Sequence, residues 1–146
     1  MNLYIIIFLF VFNTGQAQYK KTYKPNSDIP GLTKVKSITG NFGYINANKQ
    51  EIIPVIYKKI YPLNQDQPNW IKVKSITDNY GYIDAQGKEI VPTIYDQIHP
   101  FNKHVVNWAL VKTNSGHYGF IDKSGKITVK ALYSLKEIQE KYINKN

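Results

Sequence analysis

A chain of 146 residues with no cysteine and a formal net charge of +9 is one domain's worth of sequence, long enough to bury a core without disulfide staples. All 19 of its basic residues are lysine, whereas nucleic-acid binders ordinarily rely on arginine for bidentate contacts to phosphate and guanine, so no nucleic acid is expected as a partner. Lys, Asn, Ile and Tyr are together what AT-rich codons supply, so part of the charge is compositional; the remainder favours polyanionic surfaces such as phosphorylated envelope glycans.

Taken in order, the chain begins with an unbroken apolar run, Leu3 to Phe12, then a polar break at Asn13-Thr14 and small residues at Gly15 and Ala17. That is the pattern of a signal peptide over 1–17 with cleavage after Ala17, although its first residues carry no lysine. About ten apolar residues fall short of the roughly 20 needed to span a bilayer, so no transmembrane span is expected in the mature chain. Export without disulfides suits a bacterial protein that is periplasmic, secreted or envelope-associated. Residues 18–31 are polar, lysine-rich and hold Pro25 and Pro30; they read as a flexible basic lead-in, disordered up to Leu32.

From Leu32 onward the sequence repeats itself. Gly43, Gly81 and Gly119 stand 38 residues apart, and the 38-residue unit from Leu32 shares 20 positions with the next. Units of about 32–69, 70–107 and 108–133 make up a β-repeat domain over 32–133. Each unit reads as three strands. Ile71, Val73 and Ser75 alternate with Trp70, Lys72 and Lys74, the period of a half-buried strand, and a turn at Thr77-Asp78-Asn79 leads into Tyr80 to Asp84. Asp84 with Gly87, and Asp122 with Gly125, carry the chemistry of hairpin loops. Lys49 stands where those glycines do, and a left-handed backbone there carries about 1 kcal/mol of strain. Pro92 is expected to end the third strand, since proline cannot donate to a ladder. Over 134–146 the period changes: Leu135, Ile138, Tyr142 and Ile143 fall at helical spacing, and Ser134 with Glu137 form a capping box. An amphipathic helix from about Leu135 to Ile143 would close the bare face of the last unit. The fold class is therefore mainly β: about three 38-residue meander repeats, solenoid-like or partly closed, with a short C-terminal capping helix.

The recurring aromatic-Gly-Tyr-Ile-Asp, then Gly-Lys-Glu-Ile, then Ile-Pro-x-x-Tyr-Asp resembles the WG repeat family of bacterial proteins. Gly81, Tyr82, Ile83, Asp84, Gly87, Lys88, Glu89, Pro92, Tyr95 and Asp96, with their counterparts, carry the likeness over most of 32–133. One departure is plain: the family's Trp before Gly is Phe42, Tyr80 and Tyr118 here. The resemblance implies a β-rich array in exported or envelope-associated proteins, and no catalytic residues.

Read for chemistry, the residues point the same way. No cysteine and no Gly-x-Ser-x-Gly elbow offers a nucleophile. Asp96, His99, His104 and His117 lack a recognised metal spacing, so no metal or cofactor is expected. The carboxylates recur at turns or strand starts, where Asp84 and Asp122 serve as structural turn residues. Two features remain as binding candidates. Trp70 and Trp108, at loop-to-strand junctions, are the aromatics best placed to keep an exposed face. Lys34, Lys36, Lys72 and Lys74, with Lys112 in part, would form one basic stripe if units stack in register, although outward lysines also protect sheet edges from aggregation. The function read from the sequence is an exported, non-catalytic binding module for another protein or an anionic envelope glycan. The alternatives are a structural envelope protein without a specific ligand, and a hydrolase of envelope sugars, which would need two facing carboxylates.

Overall fold

A computed structural model describes residues 19–24, 29–63, 67 and 69–145. The leader at 1–17 and residues 25–28 of the lead-in lie outside the described residues. Eleven strands run in chain order: β1 (Lys21–Thr22), β2 (Thr33–Lys36), β3 (Phe42–Ile45), β4 (Glu51–Tyr57), β5 (Lys59–Leu63), β6 (Ile71–Lys74), β7 (Tyr80–Ile83), β8 (Glu89–Ile98), β9 (Trp108–Thr113), β10 (Tyr118–Asp122) and β11 (Ile127–Tyr133). Helix α1 (Leu135–Ile138) follows and continues as a π-helical turn, Gln139–Ile143. Sequential strands pair antiparallel, β1 to β4 in one sheet and β5 to β11 in another, and neither sheet closes into a barrel among the described residues. The chain is thus mainly β, with three repeats and a short C-terminal helix.

Each hairpin loop is held by the side chain that opens it. Asp84 Oδ1 accepts the backbone N–H groups of Gln86 at 2.9 Å and Lys88 at 2.8 Å. Asp122 Oδ1 does the same for Ser124 and Lys126, and Asn46 Oδ1 for Asn48 and Gln50. A carboxylate or amide at this position gives the backbone a local acceptor as the chain reverses, which is why Asp and Asn favour turns.

The Gly-Tyr and Ile-Pro halves of the repeat meet in one bulge. Tyr82 pairs with Val91 and Tyr80 with Tyr95, so Gly81 alone faces the extra residues of β8. A Cβ on Gly81 would lie 2.5 Å from the Val91 carbonyl oxygen and 2.9 Å from the Pro92 carbonyl carbon. The bulge doubles back over the glycine, and only a residue without a side chain leaves room for it. Gly43 under Val55 and Gly119 under Ala131 repeat the arrangement. This corrects the expectation that Pro92 ends the strand. Pro92 sits inside the bulge, where no ladder N–H is required of it, and β8 continues through Ile98, pairing β7 with its first half and β9 with its second.

Because β8 bends there, successive units face each other and the core lies between them. Tyr44, Ile53, Tyr57 and Ile60 of the first unit bury with Ile71, Val73 and Ile83 of the second. Tyr82, Val91, Tyr95 and Ile98 of the second bury with Ala109, Val111 and Ile121 of the third. Leu110, Phe120 and Val129 then meet Ile138 of α1, with Tyr133 and Tyr142 packed alongside. Complete burial of a side chain such as Ile71 or Ile138 contributes about 1.5–3 kcal/mol, so the helix does for the last unit what a further repeat would do.

The stacking also constrains the loop glycines. Gly87, at φ +80°, lies under strand β4 of the preceding unit, where a Cβ would come 2.5 Å from the Ile52 carbonyl oxygen. Gly125 lies under Ile90 in the same way. Lys49, the counterpart of these glycines in the first unit, keeps the left-handed backbone at φ 60° and is exposed.

The lead-in differs from its expectation over its described residues. Lys21 pairs with Lys36 and Thr22 with Val35, and Ile29 is only 2% exposed in the first core cluster. Backbone pairing and a buried isoleucine fix these residues to the first unit.

Candidate ligand-binding face

The basic stripe is built from cross-strand pairs. On β6 and β7, Lys74 stands opposite Tyr80 and Lys72 opposite Tyr82. Both ammonium groups lie over Tyr80, 4.7 Å from the ring centroid for Lys72 and 5.2 Å for Lys74. The first unit repeats this with Lys34 and Lys36 over Phe42, at 4.9 and 5.0 Å. A third lysine reaches each set from the preceding strand. Lys59, opposite Lys74, lies 4.4 Å over Tyr61, which is 6.5 Å from Tyr80. Lys21, opposite Lys36, lies 4.6 Å over Tyr23, which is 6.3 Å from Phe42. Each half-buried aromatic therefore sits among ammonium groups, and each exposed cation–π contact contributes about 0.5–1 kcal/mol.

Lys21 and Tyr23 were not among the residues singled out from the sequence, though a signal for them existed. Tyr19-Lys20-Lys21-Thr22-Tyr23 matches Tyr57-Lys58-Lys59-Ile60-Tyr61 at four of five positions, 38 residues on. The repeat thus starts before Leu32, at the strand that leads into each unit.

Electrostatics divide the lysines. Asp78 takes a positive φ of 68° at its turn and accepts from both Lys58 and Lys74, each at 2.7 Å. Hydrogen bonds from Lys58 and then Lys74 hold its carboxyl down at about 2, and the bond that Lys74 donates to Asp78 raises the Lys74 amine. Lys112 is tied to Asp96 at 2.8 Å, which raises its amine in turn. Lys72 behaves in the opposite way. Burial lowers its amine, and its Nζ donates to the Ile98 carbonyl at 3.3 Å. It lines an open cleft with Tyr80, Gln97, His99 and Pro100.

The stripe is strongest in the first two units. At the equivalent places the third has Gln97, His99 and Leu110, and keeps only Lys112 and Tyr118. Leu110 has a packing reason: it is buried under α1 beside Ile138, where an ammonium would be stranded from water. His99 and His104 approach at 3.4 Å between ring nitrogens. Burial, with neighbouring positive charge, lowers both imidazoles.

Trp70 and Trp108 stand at the starts of the second and third units. Trp70 is 5.3 Å from Tyr82 and 5.8 Å from Phe101, edge-on to the latter. Trp108 is 5.5 Å from Phe120 and 6.5 Å from Tyr142. Both are half-buried against the core clusters, and the aromatics associated with the lysines are instead Phe42 and Tyr80. Asp84 and Asp122 face their own loop backbones, and Gly87 and Gly125 contact the preceding unit.

No curated protein and no solved structure matches the chain. A family model described as WG containing repeat matches residues 42–74, 80–115 and 118–134. Those segments hold the bulge glycines, the hairpin loops, and Phe42, Lys72, Lys74 and Tyr80 of the lysine–aromatic face. They cover more than half of the sequence, and the chain belongs to the WG-repeat family.

Proposed function

We propose that this protein is an exported, non-catalytic repeat module that binds an acidic envelope glycan along the lysine–aromatic face of its first two units. One observation carries the reading: Lys34, Lys36 and Phe42 recur as Lys72, Lys74 and Tyr80 with nearly the same ring-to-ammonium distances. Face-packed sheets lie about 10 Å apart, so the two sets offer charges and aromatic edges at a regular interval. A linear polymer with an acid group in each repeating unit can meet both sets at once, and linked weak contacts then reinforce one another. The carboxylates with described partners hold loops or lysines, which suits a binding role better than acid–base work.

A spacer role without a ligand has its own support, since Asp78 and Asp96 already hold Lys74 and Lys112. Retention on an immobilised polyuronate separates the two readings. The full chain is expected to bind at low salt, to be released as salt rises, and to lose most of its affinity as the Lys72→Gln/Lys74→Gln double variant. Equal retention of chain and variant, or none by either, would count against the proposal and for the spacer.

A further inference from the structure

A second face carries a different chemistry. The turns 37–41, 75–79 and 113–117 and the bends at Tyr57, Tyr95 and Tyr133 lie on one edge of the array, opposite the hairpin loops at 46–50, 84–88 and 122–126. Register places them so: Phe42 pairs with Tyr57 at this edge and Ile45 with Glu51 at the other. Ion pairs confirm the adjacency, since Lys58 beside one bend reaches Asp78 in the next turn, and Asp96 beside the next bend reaches Lys112. Along this edge Ile38 and Ile76 protrude from the turns with 75% and 65% exposure. Ile56, Ile94 and Leu132 protrude from the bulges with 56%, 52% and 71%. Each set follows the 38-residue period. The bulge position stays aliphatic even in the third unit, where Pro54 and Pro92 have given way to Lys130.

We infer that this edge docks on an anionic lipid surface, with the aliphatic tips entering the interface and the adjoining lysines facing the headgroups. Three features favour that occupant. The side chains emerge singly from tight turns and bulges, so they suit a partner that deforms around them. Lys36, Lys58 and Lys130 stand within two residues of Ile38, Ile56 and Leu132, and long lysine stems reach headgroups while their neighbours enter the apolar layer. A net charge of +9 sets a second copy of the chain against itself and draws it to a negative surface. The aliphatic residues of the edge lie outside the glycan face, which shares Lys36 with it.

The absence of cysteine gives a direct test. An environment-sensitive dye is attached to the full chain at Asn114→Cys, in the third turn of this edge, or at Asn48→Cys, in a hairpin loop of the opposite edge. With phosphatidylglycerol-containing vesicles the dye at position 114 is expected to shift to the blue and the dye at 48 to stay unchanged. Pure phosphatidylcholine is expected to give at least tenfold weaker binding. Adding Ile76→Ser and Ile94→Ser should weaken the response at 114 by tenfold or more while leaving thermal melting unchanged, since both side chains are exposed. Equal shifts at both positions, no shift at 114, or the same response to both lipids would overturn the inference. A response at 114 to poly-glutamate but not to vesicles would overturn it in favour of an acidic protein partner.

Discussion

Gly81→Ala tests the reason for the repeat's most regular residue. The new methyl would lie 2.5 Å from the Val91 carbonyl oxygen, 2.8 Å from Thr93 Cγ2 and 2.9 Å from the Pro92 carbonyl carbon. Relaxed carbon contacts fall near 3.5–4.0 Å, so backbone must move by about 1 Å. That backbone is pinned on both sides, by Tyr82 with Val91 and by Tyr80 with Tyr95. Overpacking of this kind costs about 1–3 kcal/mol, and the pinned backbone places this case at the upper end. Against it stands the stabilisation of about 0.4–1 kcal/mol from restricting the unfolded chain, leaving a net loss of about 2–3 kcal/mol. Gly116→Ala is the control. Its Cβ would meet nothing within 4 Å, and only the φ of +83° opposes it, so a net loss of about 1 kcal/mol is expected. Guanidinium unfolding should show a lower midpoint with unchanged slope for both variants, and the melting temperature should fall roughly 2–4 °C per kcal/mol. If Gly81→Ala is no more harmful than Gly116→Ala, the close crossing of the bulge is not what requires the glycine.

Gly87→Ala should be more destabilising than Lys49→Gly is stabilising, because only Gly87 lies under the Ile52 carbonyl. Unfolding free energies from denaturant titration are expected to fall by about 2 kcal/mol for the first and rise by about 0.5 kcal/mol for the second. Ser134→Ala removes the hydroxyl that accepts the Glu137 N–H at 3.3 Å and donates to the Glu137 carboxylate at 2.8 Å; thermal melting should register a loss of about 1 kcal/mol. Asp78 is depressed in the folded chain from its ordinary 3.8 to about 2, so its contribution is present above pH ~4 and is lost as the pH falls through ~2. The melting temperatures of the chain and of Asp78→Asn should therefore differ at pH 6 and converge by pH 2; a constant difference would place the effect outside the Lys58 and Lys74 pairs.

Local chemistry was legible in the sequence wherever it repeats or follows a short-range rule. The 38-residue period shows on comparing the chain with itself, and the Asp84 and Asp122 loops, the left-handed Lys49 and the Ser134–Glu137 cap depend on residues within about four positions of one another. Pro92 was misread because its place depends on Gly81, eleven residues away: proline stops a regular ladder but is at home in a bulge that a facing glycine permits. The lead-in was misread because lysine-rich composition hid the match of Tyr19 to Tyr23 with Tyr57 to Tyr61, whose partner strand lies a dozen residues on. For the candidate face, the sequence supplied Lys34, Lys36, Lys72 and Lys74. It could not supply Phe42 and Tyr80 as their aromatic partners, since that depends on antiparallel register. Trp70 and Trp108 stood out for their place at loop-to-strand junctions, yet large aromatics there also pack against the core.

Backbone and side-chain NMR of the full chain during titration with a short oligouronate tests the proposed function most directly. The proposal expects shifts concentrated on Lys34, Lys36, Phe42, Lys72, Lys74 and Tyr80, in both units together, and weakened by salt. Shifts confined to other surfaces, or none at saturating oligouronate and low salt, would contradict it.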